Sequence, residues 1–198
     1  MFSFFFDNPV IFLIILANYA LMFLFAPVLG FIATWFITVF YLIGIHGDIN
    51  KFWESFKKLA KWSFIVAIIF YLLFVATGLV SVFVYKFLIF KLKISITELF
   101  IFTALYSLVI SALIHLIYVP LFASANFEEF KNNLKKIKFL FTTKVGMESL
   151  LLLWGFMFLT LLAGLIKFIQ LTVGLYAVVT TFWFTYYTFL AVKVFKNS

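Results

Sequence analysis

From Pro9 to Ile45 the chain runs for 37 residues without an Asp, Glu, Lys or Arg. At about 1.5 Å of rise per residue, a helix of that length is about twice as long as a hydrocarbon layer of roughly 30 Å is thick. Four further apolar stretches follow, at 62–85, 97–119, 147–166 and 170–192. Hydrophobic residues make up 67% of the 198 and charged ones 11%, where a soluble domain has roughly 45–50% and about 25%. These values exclude a soluble globular domain and a disordered chain. The expected fold is all-α: a polytopic membrane bundle of about six helices in one domain, 1–198.

Pro27 and Gly30 punctuate the long uncharged run, which divides it into spans 9–26 and 28–45 joined by a tight turn. The other reading is one long broken helix. Asp7-Asn8-Pro9 reads as a helix start, because Asp or Asn caps and Pro suits the first helical position. No Lys lies among residues 1–6, so the first span is expected to be permanent rather than a cleaved leader. Lys167 and Gln170 mark the turn between the last two spans.

Two segments are too charged to cross. In 48–61, Ile49, Phe52, Trp53, Phe56, Leu59 and Ala60 share one helical face, opposite Lys51, Glu54, Lys57, Lys58 and Lys61. In 126–141, Phe127, Phe130, Leu134, Ile137 and Phe141 do the same, and Asn126 with Glu129 forms a capping-box-like start. Both are expected to be short amphipathic helices lying in the membrane interface, rings down and lysines up. Phe52-x-x-x-Phe56-Lys57-Lys58-Leu59 also aligns with Phe130-x-x-x-Leu134-Lys135-Lys136-Ile137. The offset is 78 residues (130 − 52), a weak sign of internal duplication.

All 15 basic residues are Lys. With six spans, Lys51, Lys57, Lys58, Lys61, Lys131, Lys135, Lys136, Lys138, Lys144, Lys193 and Lys196 fall on one side. Lys86, Lys91, Lys93 and Lys167 fall on the other. The richer side is expected to be cytoplasmic. The expected location is the cytoplasmic membrane of a prokaryote, with surface helices and C-terminus inside. Lysines between apolar runs suit anionic lipid headgroups better than nucleic acid, so lipid is an expected partner and nucleic acid is not.

Spans pack in lipid through small residues and interhelical hydrogen bonds. Helical spacing picks out four such seams: Gly30, Thr34, Thr38 and Tyr41; Ala67, Tyr71, Gly78, Ser81 and Tyr85; Ala104, Ser107, Ser111, His115 and Tyr118; Gly174, Ala177, Thr181, Thr185 and Thr188. If they enclose a cavity, its candidate lining is His115, Asn18, Ser107, Ser111, Thr34 and Thr181. Candidates for lipid or partner docking are Lys57, Lys58, Lys135, Lys136 and Trp53. Glu98 and Glu148 open spans, where the helix dipole favours a negative charge.

Chemistry is bounded by what the chain lacks. It holds no Cys, so thiol redox work and Cys-held metals are out. Without Arg there is no bidentate clamp for phosphate or carboxylate. Gly-x-Ser-x-Gly, His-Glu-x-x-His and phosphate-binding glycine loops are all missing. The residues therefore favour a non-catalytic integral membrane protein that packs against lipid, a protein partner or a second copy of itself. The alternative is a transporter, channel or substrate-binding subunit for a small neutral or hydrophobic solute. A third reading makes His46 and His115 the axial ligands of a b-type haem. Otherwise no cofactor or metal is expected.

Overall fold

A computed structural model describes residues 28–165 and 173–196; the expected span 9–26, Asn18 within it and the turn at Lys167 and Gln170 lie outside them. Among the described residues every regular element is helical. Helix α1 covers Val28–His46, α2 Phe52–Lys86, α3 Ile96–Phe122, α4 Phe127–Lys135, α5 Phe139–Thr142, α6 Lys144–Leu165 and α7 Val173–Lys196. Four stretches are long and apolar enough to cross a bilayer: Ile49–Ile89, Ile96–Phe122, Lys144–Leu162 and Val178–Phe195. A shorter apolar helix runs over Gly30–His46. The protein is a helical membrane bundle.

The segment 48–61 is not a separate surface helix. After a 3₁₀ turn at Ile49–Lys51, α2 runs unbroken for 35 residues, roughly 52 Å at about 1.5 Å per residue. Lys57-Lys58-Leu59-Ala60-Lys61 contains good helix formers and no Gly, Pro or capping residue, so nothing stops the helix between its charged and apolar halves. The segment 126–141 departs the other way and breaks in two. Asn126 caps α4 as its spacing predicts, its Oδ1 accepting from Glu129 N at 3.0 Å. The Asn133 side-chain amide then donates to Ser124 Oγ at 2.9 Å, turning α4 back on the loop before it. After a turn at 136–138, α5 inserts Leu140 fully into the core. The two matching octapeptides thus sit in different settings, one on a long helix and one across a helix end.

One end of the bundle gathers the end of α1, the starts of α2 and α6, the end of α3, and α4 and α5. We call it the collar end. The α1–α2 turn there is tight: a Cβ on Gly47 would stand 2.9 Å from Ser55 Cβ. Ser55 Oγ accepts from Asp48 N and donates to Asp48 O. The opposite hairpin end is closed by a π-helical turn, Phe87–Leu92, ending at Lys93 in the left-handed region with φ 51°.

Among the described residues, the ring-rich part of the core lies toward the collar end. Tyr41, Phe70, Tyr118, Phe122, Phe184, Tyr187 and Phe189 form a connected cluster of rings there. The Tyr118 and Phe122 rings stack with centroids 4.1 Å apart. Toward the hairpin end α2 is more exposed, and Gly78 departs from its expected seam. It is exposed, with nothing within 4 Å of where a Cβ would stand.

Candidate functional site

Helix α3 buries a polar stripe. Thr103, Ser107, Ser111 and His115 recur every fourth residue, and all four are fully buried. Each step of four residues turns about 40° past a full turn, so the stripe winds around α3, from Tyr85 of α2 beside Thr103 to Tyr187 of α7 beside His115. Its first two members are satisfied locally. Thr103 Oγ1 donates to Leu99 O and accepts from Tyr85 OH at 2.9 Å. Ser107 Oγ donates to Ala104 O. The last two are different: Ser111 Oγ is buried without a hydrogen-bond partner, while the His115 imidazole is held by other elements.

His115 Nδ1 shares a 2.9 Å hydrogen bond with Tyr187 OH on α7. Phe141 meets the ring edge-on, with centroids 6.1 Å apart, and the Leu140 backbone is a further hydrogen-bond partner of the imidazole. Two more links join α7 to its neighbours in the same style, Tyr41 OH to Thr185 Oγ1 at 2.9 Å and Tyr118 OH to Thr188 Oγ1 at 2.7 Å. Spacing alone picked out Tyr41, Tyr118, Thr185 and Thr188. Tyr187 was missed because it stands off the small-residue period of α7. Thr34 and Thr181 are fully buried, and Thr34 Oγ1 donates back to Gly30 O.

Tryptophan supplies a second set of links that spacing did not reveal. Trp35 Nε1 donates to Ser63 Oγ, Trp62 Nε1 to Leu121 O, Trp154 Nε1 to Ala104 O and Trp183 Nε1 to Leu152 O. Each bond joins two different helices. Indole N–H is a donor that must find an acceptor when buried, and in lipid the acceptors on offer are backbone carbonyls and hydroxyls. Trp53 stands apart, with 71% of its surface exposed at the collar end.

His46 and His115 are not brought together. His46 Nε2 bonds the Phe122 carbonyl at 2.9 Å, tying the end of α1 to the end of α3. Phe122 is seven residues beyond His115, about 10 Å along the helix. Both rings are held by protein partners, with no shared ligand position between them. No group of three metal-ligating side chains occurs among the described residues.

The collar carries the docking candidates. Lys57, Lys58 and Lys135 are exposed and Lys136 is half-buried. Phe127 is 58% exposed, with Lys131 Nζ 4.8 Å above its ring. Trp62 packs against Phe130 of α4 at 5.9 Å. Trp53 is nine residues before Trp62, a rotation of about 900° at about 100° per residue, so it points the opposite way. Trp53 and Phe127 therefore stand on opposite flanks of α2. Two carboxylates of the region are engaged locally: Glu129 caps α4 and Glu148 pairs with Lys144 at 3.8 Å; Glu54 and Glu128 are exposed beside the lysines. Near the α1–α2 turn, a shallow depression of about 280 Å³ is lined by His46, Asp48, Lys51, Glu54, Ser55 and Lys58. Its mixed charges favour no one ligand.

Fold and geometry define a class, the helical membrane bundle with a basic, aromatic collar. No protein family, curated protein or solved structure matches the chain.

Proposed function

We propose that the protein is a non-catalytic membrane protein whose collar holds the anionic headgroups of the surrounding leaflet. The observation that carries this reading is the pair of exposed rings, Trp53 and Phe127, each among lysines and on opposite flanks of α2. Aromatic rings prefer the interface and lysines gain about 1 kcal/mol each beside an anionic surface. Lipid surrounds a bundle, so it can engage both flanks at once. The lysine excess makes the collar the cytoplasmic end. The experiment is native mass spectrometry from gentle detergent after incubation with equal phosphatidylglycerol and phosphatidylcholine. The wild type is expected to retain phosphatidylglycerol preferentially. Lys57→Gln, Lys58→Gln, Lys135→Gln and Lys136→Gln together are expected to reduce that preference at least fivefold. Unchanged preference would sink the proposal.

A second reading, a membrane subunit holding a small neutral solute, is favoured by one observation, the buried polar stripe of α3 with Ser111 Oγ unpartnered within it. Its test is retention of one defined small molecule by the purified protein, lost in His115→Ala.

A further inference from the structure

Helix α1 starts deep in the apolar layer. It runs antiparallel to α2, since Phe40 meets Phe52, Trp35 Nε1 donates to Ser63 Oγ, and Phe31 meets both Phe64 and Tyr71 with ring centroids 5.7 and 5.8 Å apart. Phe31 is therefore level with the turns between Phe64 and Tyr71, and Val28, three residues earlier, is level with about Tyr71. The charged surface of α2 ends at Lys61, and its next charge is Lys86; between them Phe64, Ile65 and Ile68 are exposed. The 25 residues from Lys61 to Lys86 (86 − 61) rise about 37 Å, one crossing with tilt. Tyr71 lies about 15 Å in from Lys61. The first turn of α1 thus stands near the middle of the layer.

That depth decides between the two paths open to the uncharged residues 9–26. A reversal at Pro27 would place two helix ends in hydrocarbon, each with backbone groups that lack an intrahelical partner. It would also send a segment about 27 Å long back through about 15 Å of layer, leaving nearly half of it in water. Continuing onward meets neither obstacle, because a single Pro inside a span is tolerated. The 21 residues from Val28 back to Asp7 (28 − 7) cover about 31 Å. The 20 from Tyr71 to Lys91 (91 − 71) cover about 30 Å. A helix continued from α1 therefore brings Asp7 level with Lys91, beside Lys86 and Lys93, with opposite charge. Seven residues make nearly two turns, so the α2 face that meets α1 at Phe64 and Tyr71 returns at Gly78 and, one turn on, at Val82. Gly78 has nothing within 4 Å of where a Cβ would stand, and Val82 is 52% exposed. The face that α1 covers is open where α1 stops.

We infer that residues 9–26 continue from α1 along this open face of α2 as one crossing bent at Pro27, with Asp7 among the hairpin-end lysines on the side of the bilayer opposite the collar. The crossings then number five: this one, α2, α3, α6 and α7. On a helix continued from α1, Ala20 is level with Gly78 and Ala17 with Val82, and both share the face of Phe31.

The chain has no Cys, which makes the test direct. In sealed vesicles of uniform orientation, Ser3→Cys and Lys91→Cys are expected to react with a membrane-impermeant maleimide from one side and Lys58→Cys from the other, each with at least a tenfold preference. Copper-phenanthroline oxidation is expected to join Ala20→Cys to Gly78→Cys, and Ala17→Cys to Val82→Cys, within one chain in at least half of the molecules. Should Gly78→Cys fail to fold, the pair at Ala17 and Val82 carries the test. Ser3→Cys reacting from the same side as Lys58→Cys would overturn the inference. So would a disulfide between two chains carrying Gly78→Cys alone, which would put a second copy on the face, or the failure of both pairs to join.

Discussion

Among the described residues, several interhelical bonds in this bundle join two hydroxyl groups. Tyr118 OH and Thr188 Oγ1, 2.7 Å apart and buried, are one such pair. In lipid the unfolded helices also find partners for their polar groups, which keeps the net gain of each bond near 0.6 kcal/mol and below about 2. A double-mutant cycle of Tyr118→Phe and Thr188→Val, read by thermal unfolding in detergent, is therefore expected to give a coupling of about 0.5–1.5 kcal/mol. Zero coupling would mean that the pair is incidental to packing. A second test at this scale concerns Lys93, whose φ of 51° lies where a Cβ crowds the backbone carbonyl and glycine is favoured. Lys93→Gly is expected to raise stability by about 1 kcal/mol, seen as a higher midpoint in the same assay; a lower midpoint would show that its side chain holds the hairpin turn. Spacing located Tyr118 and Thr188 because both lie on a small-residue period. It passed over Tyr187, Thr180 and four of the five tryptophans, since a large aromatic off that period reads equally well as a lipid-facing ring.

At the scale of elements, the connection between α3 and α6 is the most demanding. Helix α5 has four residues, yet it carries Leu140 into the core and Phe141 to His115. It can approach α6 so closely because Gly146 has no side chain: a Cβ there would collide with the Leu140 and Phe139 carbonyl oxygens. Those oxygens are backbone and cannot swing aside. Gly146→Ala is expected to cost about 1–3 kcal/mol and to expose 136–143 to added protease; unchanged digestion would mean that α5 is held by other contacts. By contrast Gly78→Ala on α2 has open space and is expected to be neutral or slightly stabilising, because Ala is the better helix former. Sequence showed that 48–61 and 126–141 were helical, amphipathic in pattern and too charged to cross. It did not show that one would fuse to a span and the other break. Those outcomes rest on an absent stop signal after Leu59 and on one long-range bond from Asn133 to Ser124, and a periodicity registers neither.

For the whole molecule, the question is what a collar with two flanks can hold. Trp53 with Lys57 and Lys58 belongs to the start of α2; Phe127 with Lys135 and Lys136 belongs to α4, on the far side of Trp62. Sites that share no partner contribute independently. If the collar is held by headgroups, Lys57→Gln with Lys58→Gln and Lys135→Gln with Lys136→Gln should each remove part of the preference for phosphatidylglycerol. The two losses, as free energies, should then sum to the loss in the quadruple variant. A single protein docked on one flank would behave otherwise, since one pair would carry the whole effect and the other none. Added salt separates the cases further. Exposed charges acting over a layer of water are screened within about 8 Å at physiological ionic strength, so both half-effects should shrink together as salt rises, while Trp53→Ser and Phe127→Ser, which remove buried ring area in the interface, should stay as costly as before. Unequal halves that persist in high salt would move the reading from a lipid collar to a protein-docking face.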